Sequence, residues 1–264
     1  MNRHIILTSG RSGSNYLANT LNQHPQIVNY GEVLATTLIP YKLYDRCKKY
    51  QKICRWSIID YLNYVYNSKN FFYAAQCYSA YSHFRKKKPV NFKTWGKVKS
   101  LGTKDFFLNY RKKEAVDFLI SNEDIAVIYL YRENKLSRYL SGVFLKKTRI
   151  VSSEKTLKVQ KVKIVPAEMM TYLEVLDKEI EDEKKIINQL KNNRVLTVKY
   201  EDYFTDEDSV FTYNKRVFEF LGVEPFPLKS QHKKILPHGM RDLVENYEEF
   251  CACFTHTKYQ KYLD

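Results

Sequence analysis

The sequence predicts an α/β fold: a single domain with a central parallel sheet flanked by helices. Short apolar segments of strand length alternate with longer segments whose apolar residues recur about every 3.6 positions. Residues 125–131, IAVIYLY, form a nearly continuous apolar run, as expected for a parallel strand covered on both faces. The length of 264 residues suits one large domain, or two small ones at most, and we assign residues 1–264 to one domain.

The first predicted elements are two strands and a helix, followed by a helical insertion. Residues 4–9, HIILTS, form a strand that stops at Gly10, and a helical pattern follows until Pro25 interrupts it. Residues 26–29 form the second strand. Residues 42–100 are crowded with tyrosine, phenylalanine and lysine and contain amphipathic stretches, which predict a helical insertion over one end of the sheet.

The second half of the chain continues the alternation. Arg132 follows the strand at 125–131, and a helix follows Arg132. Residues 149–165 alternate basic and apolar side chains, which indicates a hairpin or a mobile loop. Pro166 opens a long helix with one apolar face, and a further strand, VLTVKY, runs to Tyr200 before an acidic turn and another amphipathic helix.

Composition and charge narrow the class of protein. Apolar residues make up 44% of the chain and charged residues 28%, which provides enough apolar material for a core and excludes a disordered or collagen-like chain. The formal net charge of +15 favours an anionic ligand or surface, and nucleic acid is the first generic candidate. A lysine-rich surface that only keeps the protein in solution is the alternative.

The cysteines and the apolar segments indicate where the protein resides. The five cysteines form no C-x-x-C pair and have no histidine at metal-ligand spacing, so we expect no metal site. Their odd number, without a secretory leader, indicates reduced thiols in a cytoplasmic protein. No segment approaches about 18 uncharged apolar residues, so we expect no membrane span.

The loop after the first strand has the composition of an anion-binding loop. In open parallel sheets, ligands bind beyond the carboxyl ends of the strands. Gly10 and Gly13 allow a tight turn and a close approach, while Ser12, Ser14 and Asn15 offer donors beside the positive end of the next helix. The loop is too short for the G-x-x-x-x-G-K-[ST] pattern and suits a single phosphate better than a triphosphate. An ordinary strand-to-helix turn is the alternative.

This loop resembles the donor-binding loop of the sulfotransferases that use 3′-phosphoadenosine 5′-phosphosulfate (PAPS). In that family a loop of the form [KR]-x-G-[ST]-x-x-L holds the 5′-phosphosulfate, and residues 11–17 read RSGSNYL. The resemblance implies that six residues of this loop bind the donor: Arg11, Ser12, Gly13, Ser14, Asn15 and Tyr16.

A second family signature is a strand that ends in arginine, followed by a helix that carries a serine. Both contact the 3′-phosphate of the donor in that family. Residues 129–141 read YLYRENKLSRYLS, which implies these roles for Arg132 and Ser141, with Ser137 as the alternative serine.

Two segments nearer the C-terminus extend the resemblance. The match VKYED at residues 198–202 implies that Tyr200 lies beside the nucleotide. Residues 233–250 resemble the ending of bacterial carbohydrate-type sulfotransferases, including those that sulfate nodulation factors, and Lys233 and Lys234 would reach the donor. The resemblance implies PAPS as co-substrate, no metal and no nucleic-acid partner.

The resemblance also suggests catalytic roles. Arg11 stands where the family places a lysine or arginine against the bridging oxygen, so it would stabilise the leaving phosphate. The run HPQIVNYGE resembles an H-P…G-E run of tyrosylprotein and some carbohydrate sulfotransferases, which makes Glu32 the candidate base. Alternatively, Glu32 is a solvated carboxylate or the partner of a nearby lysine. We interpret His24 as a structural residue at a helix end, and Lys104 is a weaker candidate for the cleft.

The implied function is transfer of a sulfuryl group to a hydroxyl, or an amine, of a carbohydrate or small molecule. The tyrosine-rich insertion would form the acceptor pocket or would simply pack as a helical cap. Lys146, Lys147 and Arg149 would belong to a lid over the donor or to a solvated hairpin. A nucleotide-dependent kinase and a non-enzymatic nucleic-acid-binding module are the alternative functions.

Overall fold

In the computed structural model, the described residues are 1–49, 56–87, 89–148, 160–228 and 239–263. The chain divides into two compact units, of which unit 1 comprises Met1–Tyr131 and Ile186–Leu228 and unit 2 comprises Arg132–Lys185 and Lys229–Asp264. Most of the predicted hairpin at 149–165, together with Arg149, Lys233 and Lys234, lies outside the described residues. The assignment of residues 1–264 to one sulfotransferase domain stays a prediction.

Unit 1 contains a sheet of five parallel strands in the order β2-β3-β1-β4-β5. The strands are β1 (Asn2–Thr8), β2 (Ile27–Asn29), β3 (Ser100–Phe106), β4 (Ile125–Tyr131) and β5 (Val195–Lys199). The predicted fold class, an α/β arrangement with a central parallel sheet flanked by helices, is confirmed. Because β1 pairs with both β3 and β4, the carboxyl ends of these three strands lie side by side.

The helices of unit 1 cover both faces of this sheet. They are α1 (Ser14–Gln23), α2 (Ile39–Lys49), α3 (Ile58–Asn67), α4 (Lys69–Arg85), α5 (Phe107–Lys112), α6 (Val116–Ile120), α9 (Tyr200–Tyr203) and α10 (Glu207–Phe220). On β1, Ile5 and Leu7 are buried in one apolar cluster, whereas Ile6 is buried in the cluster on the opposite face. The alternation of side chains along a strand therefore explains why Ile5, Ile6 and Leu7 are all apolar although they face opposite sides of the sheet.

The predicted helical insertion is present as α2, α3 and α4, between β2 and β3. Helix α3 begins with a capping box, in which the Ser57 hydroxyl accepts from the Asp60 backbone N–H and the Asp60 carboxylate accepts from the Ser57 N–H. Four tyrosines of the insertion are buried in the apolar cluster beside the sheet: Tyr41, Tyr44, Tyr61 and Tyr66. These four tyrosines are packed inside a helical cap, which was the alternative to an acceptor pocket.

Lys93 fastens the segment after α4 to the start of the sheet. Its side chain is buried, and its ammonium group donates to the carbonyl oxygens of Asn22 (2.7 Å) and Ile27. Burial lowers the pKa of the Lys93 side chain to about 7. The folded protein therefore releases this proton at a much lower pH than the unfolded chain does.

We expect the stability of the wild type, relative to Lys93→Met, to rise with pH between about 7 and the ordinary lysine value of 10.5. In this window the unfolded chain keeps the proton that folded Lys93 has lost, which contributes at most about 1.4 kcal/mol per pH unit. Urea unfolding at several pH values measures the difference. The exposed Lys97 supplies a matched Lys97→Met control, for which the difference stays flat. A flat difference for Lys93→Met as well would contradict this account.

Unit 2 has an apolar core of its own. Its helices are α7 (Lys135–Thr148), α8 (Pro166–Gln189), α11 (Met240–Leu243) and α12 (Tyr247–Phe254), and the start of α8 at Pro166 agrees with the sequence. Asp177 of α8 accepts hydrogen bonds from Lys135, Lys258 and Tyr259. Although partial burial opposes it, these bonds lower the pKa of Asp177 to about 2. Across both units, the described helices include none with the length and apolar character needed to cross a bilayer.

Candidate active site

The predicted anion loop, residues 9–13, connects β1 to α1 at the carboxyl edge of the sheet. Its start is held by Thr8, whose hydroxyl donates to the Leu130 carbonyl oxygen of β4 at 2.6 Å. Within the loop, the buried Ser12 hydroxyl donates to the Ser9 carbonyl oxygen at 2.8 Å. The Ser12 side chain therefore closes the loop on itself.

The loop reverses through two left-handed residues, Arg11 (φ 66°) and Gly13 (φ 81°). A Cβ atom on Gly13 would lie 2.6 Å from the Phe204 ring and 3.2 Å from the Tyr200 ring. Gly10 differs, because its φ is not positive and no heavy atom lies within 4 Å of a Cβ built there. The sequence-based requirement for glycine therefore applies to Gly13 and not to Gly10.

We expect Gly13→Ala to lower the free energy of unfolding by about 1–3 kcal/mol and to weaken anion binding, because the side chain adds backbone strain and collides with Phe204. The matched control is Gly10→Ala, for which we expect a change within about 0.5 kcal/mol. Chemical denaturation of the two variants measures this difference. Equal stability of the two variants would contradict the loop geometry described above.

Three aromatic side chains pack beside the loop. Tyr200 begins α9 directly after β5, and its ring lies 4.8 Å from that of Phe204, which in turn lies 5.2 Å from the ring of Tyr16. The structure thus brings two predicted residues, Tyr16 and Tyr200, to one side of Gly13. Phe204 was missed, and its only sequence signal is the helical spacing of four residues from Tyr200.

Helix α1 presents its N-terminal end to the loop. Gly13 is its N-cap, and within the described part of the chain no side chain caps the helix there. The backbone N–H groups of Tyr16 and Leu17 donate to the Gly13 carbonyl oxygen. Ser14 and Asn15 form the start of the helix, and the first turn contains no acidic residue. Their contacts with the donor stay predictions. The partial positive charge of the helix end therefore favours an anion at this point.

The turn after β2 positions Glu32. Gly31 adopts a left-handed conformation (φ 73°), and its N–H donates to the Asn29 side-chain oxygen at 3.0 Å. The Asn29 amide donates to the Thr103 carbonyl oxygen of β3 at 2.9 Å, and the Lys104 N–H donates to the Gly31 carbonyl oxygen at 3.0 Å. These bonds fix the path of the chain on both sides of Gly31, so Glu32 leaves the turn beside the end of β3.

Glu32 forms an ion pair with Lys104. The Lys104 side chain is 3% exposed, whereas that of Glu32 is 26% exposed and remains accessible to solvent. Lys104 pairs in register with Ile6 of β1, so the ion pair lies at the sheet edge that carries the anion loop. The structure therefore brings Lys104 to Glu32. Glu32 is thus the partner of a nearby lysine, as the alternative predicted, and this ion pair is compatible with a role of Glu32 as base.

Asp105 is a buried carboxylate that the sequence analysis missed. It accepts hydrogen bonds from the backbone N–H groups of Leu34 and Phe106, both at 2.8 Å, and from the Asn109 amide at 2.6 Å. Burial raises the pKa of Asp105 to about 6, although these hydrogen bonds oppose the shift. Because Leu34 lies two residues after Glu32, Asp105 holds the segment that carries the candidate base. An acidic residue near the carboxyl end of a strand was the available signal.

The residues predicted at the 3′-phosphate belong to unit 2. Arg132 follows β4 directly in the chain, and Ser137 lies in the first turn of α7, where its N–H donates to the Asn134 side chain at 2.8 Å. Ser141 is buried one turn later, so the two serines share a face of α7. The roles of Arg132, Ser141 and Ser137 stay predictions.

His24 has the structural position that its sequence context predicted. It is the C-cap of α1, its Nδ1 accepts from the Gln26 N–H, and its Nε2 donates to the Glu224 carbonyl oxygen, both at 3.0 Å. Burial lowers the pKa of His24, which favours the neutral ring. Both ring nitrogens are therefore used in holding the end of the helix.

Comparisons with known proteins found similarity among solved structures. No family model matches the chain, and no curated protein matches it. Among solved structures, the crystal structure of a sulfotransferase from Alicyclobacillus acidocaldarius is 16% identical, with a TM-score of 0.42, and the match covers 100% of this chain and 96% of that chain. The functional conclusion therefore rests on the residues of the site.

Proposed function

We propose that the protein is a PAPS-dependent sulfotransferase that moves a sulfuryl group to a hydroxyl of a carbohydrate or small-molecule acceptor. The observation that carries this proposal is the loop of residues 9–13, which turns through left-handed Arg11 and Gly13 into a helix end without a side-chain cap. The Phe204 and Tyr200 rings occupy the space that a Cβ of Gly13 would need, so they pack directly against this loop. The helix end beside the loop suits a phosphate or sulfate group.

The donor would be held by groups of both loop and helix. The backbone N–H groups of Ser12, Gly13 and Ser14 would bind the phosphosulfate, together with Asn15 and the Arg11 guanidinium. The Tyr16 and Tyr200 rings, beside the same loop, offer apolar faces to the nucleoside. At the opposite end of the donor, Arg132 and Ser141, or Ser137 in its place, would bind the 3′-phosphate.

Transfer would proceed in line at the sulfur atom. The acceptor oxygen forms a bond to sulfur while the bond between sulfur and the bridging phosphate oxygen breaks, and its electron pair goes to the leaving phosphate. Arg11 stabilises the charge that develops there. Glu32 takes the proton of the acceptor hydroxyl, and its ion pair with Lys104 orients its carboxylate.

A transfer assay tests this proposal. The protein is incubated with PAPS that carries labelled sulfur and with a panel of sugars, glycans and small alcohols and amines. We expect labelled product and one adenosine 3′,5′-bisphosphate for each sulfuryl group transferred. Transfer of the terminal phosphate of ATP instead, in the presence of magnesium, would establish the alternative of a kinase and contradict the proposal.

A further inference from the structure

Helix α4 carries aromatic residues on its solvent side as well as on its buried side. Phe72 and Gln76 are buried, whereas Tyr78, Tyr81 and Phe84 are 61%, 59% and 78% exposed. We define the α4 outer face as five exposed residues whose helical spacing places them on one side: Tyr73, Cys77, Tyr78, Tyr81 and Phe84. An exposed aromatic face of this kind is typical of a surface that binds a partner.

The charge around this face has one sign. From residue 61 to residue 104 the sequence contains nine lysines and arginines and no aspartate or glutamate, and of these nine Lys93 and Lys104 are buried. Arg85, Lys86 and Lys87 are exposed at the end of α4, and the Arg85 guanidinium lies 5.9 Å from the centre of the Tyr81 ring. A partner of this surface must therefore be anionic as well as able to receive aromatic side chains.

The aromatic surface continues onto the neighbouring helix. Trp56, just before α3, and Tyr64 within it are both exposed, and their ring centres lie 5.1 Å apart. Tyr64 in turn lies 5.9 Å from Phe71 at the start of α4. The exposed aromatic side chains thus extend beyond a single helix, which gives the surface breadth as well as length.

We propose that the α4 outer face docks on an anionic phospholipid bilayer. Aromatic side chains of a surface helix settle at the level of the lipid headgroups, while lysine and arginine at its border bind anionic lipids. The helix has 17 residues, so it extends for about 25 Å and contacts a flat surface along its length. A single-stranded nucleic acid is less well matched, because it is bound in a groove that follows its backbone.

Vesicle sedimentation tests this surface with the full chain and without donor or acceptor, so its outcome is separate from that of the transfer assay. We expect the protein to sediment with vesicles of equal parts phosphatidylcholine and phosphatidylglycerol, and to remain in solution with phosphatidylcholine alone. The triple variant Tyr78→Ser, Tyr81→Ser and Phe84→Ser weakens partitioning into the vesicles on the order of tenfold or more, because each ring that enters the membrane contributes to binding.

Two controls make the result specific. Phe211→Ser removes a ring of α10 that is 67% exposed, and we expect it to partition as the wild type does. Reversal of the charges at Arg85, Lys86 and Lys87 abolishes binding at moderate salt, and thermal unfolding confirms that each variant is folded. Failure of the wild type to sediment would overturn the proposal. A loss of vesicle binding in Phe211→Ser equal to that in the triple variant would also overturn it. So would preferential binding of a single-stranded oligonucleotide through Tyr78, Tyr81 and Phe84.

Discussion

Arg11→Ala is expected to lower kcat for sulfuryl transfer by about 10²–10³, the typical cost of removing one group that stabilises a developing oxyanion. Arg11 is held in a left-handed conformation at the turn of the anion loop, two residues before the N-cap of α1. Alanine keeps the backbone and removes only the guanidinium. Initial rates at saturating PAPS, with any acceptor found active, measure the effect.

The matched control for this prediction is Arg3→Ala. Arg3 lies near the amino end of β1, at the opposite edge of the sheet, where it pairs with Asp124. Its loss removes the same charge without touching the loop, so we expect kcat to change less than about twofold. A decrease of less than tenfold for Arg11→Ala would contradict the role of Arg11 as stabiliser of the leaving phosphate.

The second large effect is expected for Glu32→Gln, which should lower kcat by about 10²–10⁴ because general base catalysis contributes a factor of this size. The substitution keeps the shape of the side chain and removes its ability to take the acceptor proton. We expect the affinity for adenosine 3′,5′-bisphosphate to stay within about twofold of the wild type. Steady-state rates and calorimetric titration separate these two effects.

The ion pair with Lys104 requires a further control, because Glu32→Gln also leaves a nearly buried ammonium group without its carboxylate. Lys104→Met removes the cation while the carboxylate of Glu32 remains. If Glu32 is the base, Lys104→Met loses less activity than Glu32→Gln, since the proton acceptor is still present. Near-native turnover by Glu32→Gln, or equal losses in both variants, would reduce Glu32 to a partner of Lys104.

Local patterns in the sequence predicted most elements of the fold. The strand at 125–131 and the helix that begins at Pro166 agree with the structure, because apolar periodicity and proline act locally. Strand β5 ends at Lys199, and Tyr200 already opens α9, one residue earlier than the apolar pattern suggested. The order of the strands in the sheet could not be predicted from the sequence, because it depends on contacts between segments far apart in the chain.

The position of β3 illustrates this limit of local patterns. Its sequence, SLGTKDF, contains a glycine and two charged residues, so it lacks the apolar run that identifies the strand at 125–131. In the structure β3 lies between β2 and β1, and Gly102 allows it to pack against His4, where a Cβ would lie 2.1 Å from the His4 carbonyl oxygen. The glycine that weakens the strand pattern is thus required by a neighbour about a hundred residues away.

In the candidate site, too, local features could be predicted from the sequence and contacts between distant segments could not. The position of the loop between β1 and α1 was predicted from its own residues, since a turn between a strand and a helix is encoded locally. The contacts that shape it were not: Phe204 approaches Gly13, and Asp105 holds Leu34, through pairs far apart in the sequence. The use of the Ser12 hydroxyl inside the loop also became apparent only from the backbone path.

Calorimetric titration with adenosine 3′,5′-bisphosphate tests the central claim most directly, because it asks whether the protein binds the product that a PAPS-dependent enzyme must release. We expect micromolar affinity for the wild type, and loss of this affinity in Arg132→Ala. A wild type that does not bind adenosine 3′,5′-bisphosphate, and instead binds ATP with magnesium or an oligonucleotide, would contradict the account.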